Sequence, residues 1–228
     1  MERYFQQKAC RQKENFGFDW QFALTDDAAM PPESAAWRDV QLPHDWSAEY
    51  PVDENAESCG SGGYARTGIG WYRKRFAAMV KPGERASLYF EGVYMHCDLW
   101  LNGAKIGGHV YGYTSFEADI TGVARPGGNE LLVRVDNSRQ PNSRWYTGSG
   151  ITRGVYLCKT QALCVATWGA YVYTPVVTEE MAEVCLDMRV LGGGAGQNAR
   201  METGIFDADG KRVAVRQTVI PQTDDAVL

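Results

Sequence analysis

Apolar side chains recur at every second position through long stretches of this chain, and Gly, Pro and Asn interrupt them at intervals of roughly ten residues. That period sets the fold class, because a strand presents alternate residues to one face and so buries a stripe of this kind. In SLYFEGVYMHCDLWL (87–101), Leu88 and Phe90 share a face and the phase shifts at Gly92. Val93, Met95, Cys97, Leu99 and Leu101 then share the next face, which reads as period two with a bulge. Asn102-Gly103 follows, the dipeptide suited to a two-residue hairpin. NELLVRVDNS turns Leu131, Val133 and Val135 inward, and GWYRKRF (70–76) puts Trp71, Arg73 and Arg75 on one side. A second set of strands begins near residue 164 with CVATWGAYVYTPVV, EVCLDMRVL and RMETGIFDADGKRVAV, in which the Asp207–Gly210 run predicts a tight turn. No window of similar length carries helical spacing, so the expected fold is all-β, an antiparallel β-sandwich followed by a second.

Composition narrows the function classes. With 23 basic against 28 acidic residues, a net charge of -5 and no long block of one sign, the chain lacks the footprint of a protein that grips nucleic acid or an anionic membrane. The opening MERYFQQKACRQKENFGFDW has no apolar core of the signal-peptide kind, and nothing is long and apolar enough to cross a bilayer, so a cytoplasmic location is expected. Six cysteines at 10, 59, 97, 158, 164 and 185 form no C-x-x-C pair. They read as free thiols, with Cys97 and Cys185 as small core residues, and neither metal nor cofactor is implied.

Two stretches fit G-x-G-x-x-G/A, Gly60 to Ala65 and Gly194 to Ala199. One follows a polar run and the other precedes alternating RMETGIF, so neither has the strand-to-helix setting a pyrophosphate needs, and both read as hairpin loops. The histidines at 44, 96 and 109 match no metal or nucleophile spacing, and no carboxylate pair is recognisable. Aromatics beside polar residues are the remaining resource: HDW (44–46), YGYTSF (111–116) and RWY (144–146). Sugars suit such groups, offering apolar faces and hydroxyl rims, whereas a sandwich also needs aromatics in its core. Trp20, Trp37, Trp71 and Trp100 read as core or interface residues, while Trp145, beside an arginine on a loop, stands open between the two.

LPHDW (42–46), GIGWYRKRF (68–76), FEGVYMHCDLWLNG (90–103), YGYTSFEADIT (111–121), VRVDN (133–137) and RWYTGSGITRGVYL (144–157) occur in that order. Together they resemble the N-terminal region of glycoside hydrolase family 2 over most of residues 15–158. The resemblance implies a jelly-roll, galactose-binding-like sandwich over 1–160 and an immunoglobulin-like sandwich over 161–228, incomplete at its C-terminus. It also implies a TIM barrel bearing two catalytic glutamates. A barrel takes about 250 residues, so no catalytic residue is expected in this chain. The family's acid/base glutamate follows an asparagine at a barrel strand's end, whereas Asn129-Glu130 precedes a sandwich strand.

The expected function is therefore the non-catalytic N-terminal portion of a retaining β-glycosidase, most similar to β-galactosidase-type members. It would support the barrel and shape its substrate pocket; the alternative is a free-standing carbohydrate-binding or interaction module. The family places the loop entering GITRGVYL near the active-site mouth, which assigns substrate contacts to Arg144 and Trp145. Well-known members carry an aspartate at the position of Arg144, and an arginine offers instead a fixed fork of donors. Asp45 is the third substrate-binding candidate, with a turn-capping role as the other reading. Expected partners are a β-galactoside or related carbohydrate, the barrel, and a second copy of the chain, because strands without a facing sheet leave apolar surface exposed.

Overall fold

The computed structural model describes residues 11–25, 35–78, 80–194 and 198–228. Short 3-10 turns at Trp46–Glu49 and Gly60–Gly62 are the helical elements among them, and everything else regular is strand. No helix among the described residues is long and apolar enough to cross a membrane. Contacts divide the chain into two compact units, one over Lys13–Lys159 and one over Thr160–Leu228 together with Arg11 and Gln12.

The strands run β1 Gln12–Asn15, β2 Trp20–Thr25, β3 Arg38–Val40, β4 Gly68–Ala78, β5 Glu84–Phe90, β6 Cys97–Leu101, β7 Ala104–His109, β8 Phe116–Asp119, β9 Gly127–Asn137 and β10 Val155–Gln161. They form a sandwich of a four-stranded sheet, β1-β10-β5-β8, and a six-stranded sheet, β3-β2-β4-β9-β6-β7. Leu88, Phe90, Leu99, Leu101, Leu131, Val133 and Val135 are all fully enclosed, each 0% exposed. The alternation in the sequence thus marks the core face on both sheets. Burial pushes the Cys97 thiol up to about 12, as a small core residue requires.

Lys74 is the charged exception on the inward side of β4. Its stem lies over the Phe16 ring and its Nζ donates to the Phe18 carbonyl at 2.5 Å, so the chain ends at a partner instead of in hydrocarbon. Burial lowers its pKa. Trp71, Arg73 and Arg75 do share the opposite side of β4, and there Trp71 is fully covered, tilted against Trp100 at 5.5 Å between centroids.

One expectation is corrected. Residues 87–101 form two strands in different sheets, not one bulged strand: β5 belongs to the four-stranded sheet and β6 to the six-stranded one. The phase shift at Gly92 marks the crossing. Glu91, Tyr94 and His96 spend their N–H groups on Gly154, Gly150 and Val110 instead of on a ladder, and His96 takes a left-handed φ of 45°. Met95 accordingly sits half-exposed in the connection. The Asn102-Gly103 hairpin forms as expected, with φ of 52° and 85°.

In the second unit, β11 Cys164–Val177, β12 Ala182–Leu191 and β15 Asp225–Val227 make one sheet, and β13 Arg200–Phe206 pairs β14 Arg212–Val219 in another. The Asp207–Gly210 turn closes β13 on β14, with the Asp207 N–H given to Lys211 and Gly210 at φ 78°. Among the described residues five strands stand where the sequence offered material for about four. Cys185 is half-exposed and not a core residue, because it shares the polar face of β12 with Glu183, Asp187 and Arg189. Cys59, Cys97, Cys158, Cys164 and Cys185 are free thiols, and Cys10 lies outside the described residues. Of the two glycine-rich stretches, Gly60–Gly62 is a 3-10 turn ending in left-handed Gly63, and the other lies partly outside the described residues.

Candidate functional site

The loop from Ser138 to Gly154, between β9 and β10, carries the Arg144-Trp145-Tyr146 trio, and its return limb is clamped from two sides. His44 N–H donates to Ile151 O at 2.8 Å and Trp46 N–H to Ser149 O at 3.0 Å. On the other flank, Tyr94 and Gly150 exchange both backbone hydrogen bonds, at 2.8 and 2.9 Å. Gly150 cannot be replaced by a larger residue without movement. Its φ is +128°, and a Cβ there would stand 2.2 Å from the Tyr72 hydroxyl and 2.7 Å from the His44 carbonyl. Asn137, fully buried at the end of β9, donates to Ser149 Oγ at 2.7 Å and accepts from Asn142 at 2.6 Å, tying the outgoing limb to the return.

Asp45 is the latch. Its Oδ1 accepts the N–H groups of Ser47 at 3.0 Å and Ser149 at 2.7 Å, and its Oδ2 accepts the Tyr146 hydroxyl at 2.5 Å. It therefore caps the 3-10 turn and anchors the loop at once, with both carboxylate oxygens already engaged. Burial first, and then the Asp45 carboxylate it serves, push the Tyr146 phenol well above its ordinary pKa, so this donor stays protonated.

Beneath the latch, His44 Nδ1 lies 2.7 Å from the Tyr72 hydroxyl and Nε2 lies 3.1 Å from Glu49. A carboxylate only accepts, so neutral His44 gives its Nε2 proton to Glu49 and takes the Tyr72 proton at Nδ1. The Tyr72 oxygen then faces the Ile151 N–H at 3.4 Å. Burial lowers the His44 pKa, partly offset by Glu49, and raises that of Tyr72.

Above the latch, Trp145 is 60% exposed and its Nε1 donates to the Tyr113 hydroxyl at 3.0 Å. Tyr113 packs edge-on against Tyr94 and Tyr111, at 5.3 and 5.7 Å between centroids. Arg153 reaches the Tyr113 carbonyl at 3.4 Å, and Tyr94 donates to Asn142 at 3.3 Å. The result is an aromatic platform built from three loops, with an indole held at its polar edge and open on its surface. Arg144, exposed beside it, is engaged by no group among the described residues.

The structure thus brings Trp145 and Asp45 into one region, with Tyr146 between them, and leaves Arg144 at the surface. Tyr113 and Tyr94 were not singled out from sequence as partners of Trp145. The signal was the YGY run at 111–113, but nothing local says that a loop more than thirty residues away donates to it. Trp20 and Trp71 are buried as read, whereas Trp37 and Trp100 are half-exposed. Asn129 is buried and bonded to Asn102 and Arg125, and Glu130 pairs with Arg75 at 3.0 Å, so this dipeptide serves a turn. Among the described residues, no group of three or more His, Cys, Asp or Glu is arranged to hold a metal ion.

Comparison with known proteins gives a consistent result. The family described as glycosyl hydrolase 2 galactose-binding domain-like matches residues 67–170. A β-galactosidase from Bacteroides ovatus is 39% identical over 90% of this chain and 25% of its own length. A putative β-glucuronidase from Formosa agariphila is 31% identical over 98% of this chain and 22% of its own. The crystal structure of a glycosyl hydrolase family 2 member from Bacteroides cellulosilyticus superposes with a TM-score of 0.77 at 35% identity, over 95% of this chain and 30% of that one. The chain therefore spans about a quarter of the length of the curated relatives it matches.

Proposed function

The chain belongs to glycoside hydrolase family 2, and from that premise we propose that it serves as the non-catalytic N-terminal part of a retaining β-glycosidase of β-galactosidase type. The observation that carries this reading is the match of nearly the whole chain to one quarter of a β-galactosidase. In this reading the sandwich buttresses a catalytic barrel, the second unit is part of an immunoglobulin-like domain, and the loop from Ser138 to Gly154 forms one wall of the substrate pocket.

Within that wall, Trp145 stacks on a sugar face and Arg144 contacts its rim. Asp45 acts as a positioning residue, because its oxygens already hold Ser47, Ser149 and Tyr146. Retaining chemistry needs two carboxyl groups about 5 Å apart, and the family resemblance places both outside this chain.

The test is turnover of nitrophenyl β-galactoside and β-glucuronide by the 228-residue chain and by a protein that joins it to a family 2 barrel. The chain alone is expected to be inactive and the joined protein active, with kcat/KM lowered about tenfold by Trp145→Ala, the scale of one lost stacking contact. Hydrolysis by the purified chain itself would overturn the assignment.

A further inference from the structure

The network under the loop contains a buried histidine that neither the sandwich core nor the platform requires. His44 is 8% exposed and Tyr72 is fully enclosed. Three hydrogen bonds run through them in one direction. The Ile151 N–H points at the Tyr72 oxygen at 3.4 Å, the Tyr72 hydroxyl donates to His44 Nδ1 at 2.7 Å, and His44 Nε2–H donates to Glu49 at 3.1 Å. The far end fixes the direction, because a carboxylate can only accept.

The charged and titratable groups that face His44 are Glu49 and Asp45 from its own segment, Arg38 from β3 and Tyr72 from β4. β2 contributes the Phe22 ring, 4.7 Å away between centroids, and the return limb contributes backbone. Burial, the largest influence, holds the His44 pKa below 6.5, and Glu49 partly offsets it. Adding a proton at Nδ1 reverses the middle link. Nδ1–H then donates to the Tyr72 oxygen, which already faces Ile151, and the phenol hydrogen has to turn to a third acceptor. Among the described residues the hydrogen-bond partners of that hydroxyl are His44 and Ile151. Room is also short, since a Cβ on Gly150 would stand 2.2 Å from the hydroxyl. Charged His44 at 2.7 Å outcompetes Ile151 at 3.4 Å, because a charge-assisted bond is about twice as strong as a neutral one. The Ile151 contact is therefore the one released.

Next to Ile151, Gly150 exchanges both backbone bonds with Tyr94, whose ring packs on Tyr113, and Tyr113 holds the Trp145 indole. Resting on the pocket-wall reading above, we propose that His44, acting through Tyr72, is a positioning residue for this loop. Neutral, it sets the return limb beneath Trp145; protonated, it loosens that limb and weakens substrate capture in acid. The bonds from the His44 N–H to Ile151 and from the Trp46 N–H to Ser149 do not depend on the ring proton, so the limb shifts without unfolding.

The experiment is an NMR pH titration of the 228-residue chain, following the His44 ring, the Ile151 amide and the Trp145 indole N–H. All three signals are expected to move together, with one midpoint below 6.5. Glu49→Gln removes the carboxylate that favours the proton and should carry the shared midpoint to lower pH. In Tyr72→Phe the His44 ring should still titrate while Ile151 and Trp145 stay flat, an uncoupling that a purely structural histidine would not give. Glu49 is exposed, so its variant decides the matter even if Tyr72→Phe does not fold. In the barrel-joined protein, KM for nitrophenyl β-galactoside should rise as pH falls through the same midpoint, and Glu49→Gln should move that rise with it.

Ile151 and Trp145 signals that stay flat while His44 titrates, or that still follow it in Tyr72→Phe, would overturn the relay and leave the pocket-wall reading to the turnover test. So would movement at a midpoint the His44 ring does not share, as titration of Asp45 would give, or a midpoint that Glu49→Gln leaves in place. Signals that move with His44 while KM does not would uphold the relay and count against the pocket wall.

Discussion

In Lys13–Lys159, alternate apolar residues from two sheets meet face to face, and Trp20, Trp46, Trp71, Leu88, Phe90, Leu99 and Leu131 lose all contact with water. In Thr160–Leu228 the same alternation leaves Tyr171 at 63% exposure, Val172 at 62%, Val213 at 59% and Val219 at 67%, with Ala166, Val190 and Ile220 as its buried apolar residues. The strands of the second unit still pair along their length, with β11 and β12 running from Cys164↔Leu191 to Val177↔Ala182 across two bulges. Local pattern and pairing therefore suffice to make a strand but not a core. Burial needs a second layer to face, and a groove of about 460 Å³ lined by Tyr173, Leu186, Met201 and Ile205 shows where the two sheets of the second unit fall short of closing.

The contrast breaks most visibly by cavity formation. Leu99→Ala in the six-stranded sheet should cost about 2 to 5 kcal/mol, since the side chains packed around this fully buried residue cannot all collapse into the void. Thermal melts read residue by residue should show the loss confined to Lys13–Lys159. If Val172→Ala on β11 costs as much, the exposed face of the second unit is covered in solution and the comparison fails.

Next in size is the latch. Asp45→Ala strips an acceptor from two buried backbone N–H groups and the Tyr146 hydroxyl, which should cost about 1 to 3 kcal/mol. The sharper readout is local: the Trp145 indole signal should broaden, because the return limb loses its anchor at Ser149 while the backbone exchange between Tyr94 and Gly150 persists. An unchanged Trp145 signal would show that the clamp from Tyr94 holds the loop alone.

A smaller effect depends on pH. His44 is surrounded by Glu49, Arg38, Asp45 and Tyr72, and burial holds its folded pKa below the ordinary 6.5. The unfolded chain then binds more protons between the folded value and 6.5, so stability is full above that window and falls as pH drops through it. Urea unfolding of the first unit at pH 7.5 and 5.5 should show this loss, and His44→Gln should flatten it. The second unit's described strands carry no histidine, so their melting should not follow the same window. A wild-type slope that survives in His44→Gln would assign the pH response to carboxylates instead.

Much of the first unit was legible from sequence. Leu131, Val133 and Val135 point inward as their spacing demands and Asn102-Gly103 closes the hairpin it suggests, as the Asp207–Gly210 turn does in the second unit, because each of these is decided within a few residues. The crossing at Gly92–His96 was misread as a bulge, since a phase shift in the apolar pattern looks the same whether the strand kinks or changes sheet. The candidate site was half legible. Residue type and loop position identify Arg144 and Trp145, but the roles of Asp45 and Tyr113 come from contacts 101 and 32 residues distant in sequence. The turn-capping reading of Asp45 anticipates the Ser47 donor two residues on, whereas the Ser149 and Tyr146 donors come only from tertiary structure.

The smallest expected effect on stability is also the one that tests the comparison from the other side. Val213, Val215 and Val219 lie at 59%, 50% and 67% exposure on β14, and β14 has β13 as its one paired neighbour among the described residues. Replacing Val213 with Ala removes contacts that scarcely exist, so stability should change by no more than about 0.5 kcal/mol. The same exposure makes the strand a template: its outer edge offers unpaired backbone groups, and its apolar side chains lose water if a second copy lies alongside. A homo-oligomer formed through β13 and β14 would bury edge and face together. Light scattering over a concentration series should then show a mass rising above that of the monomer, and Val213→Lys with Val215→Lys should return it to monomer without lowering the melting of the first unit, since a charge on an edge strand opposes pairing but disturbs no core. A strictly monomeric mass at every concentration, together with slow amide exchange in β13 and β14, would mean that a two-stranded layer with exposed valines is stable unaided, and the requirement for a facing layer would have to be given up for this unit.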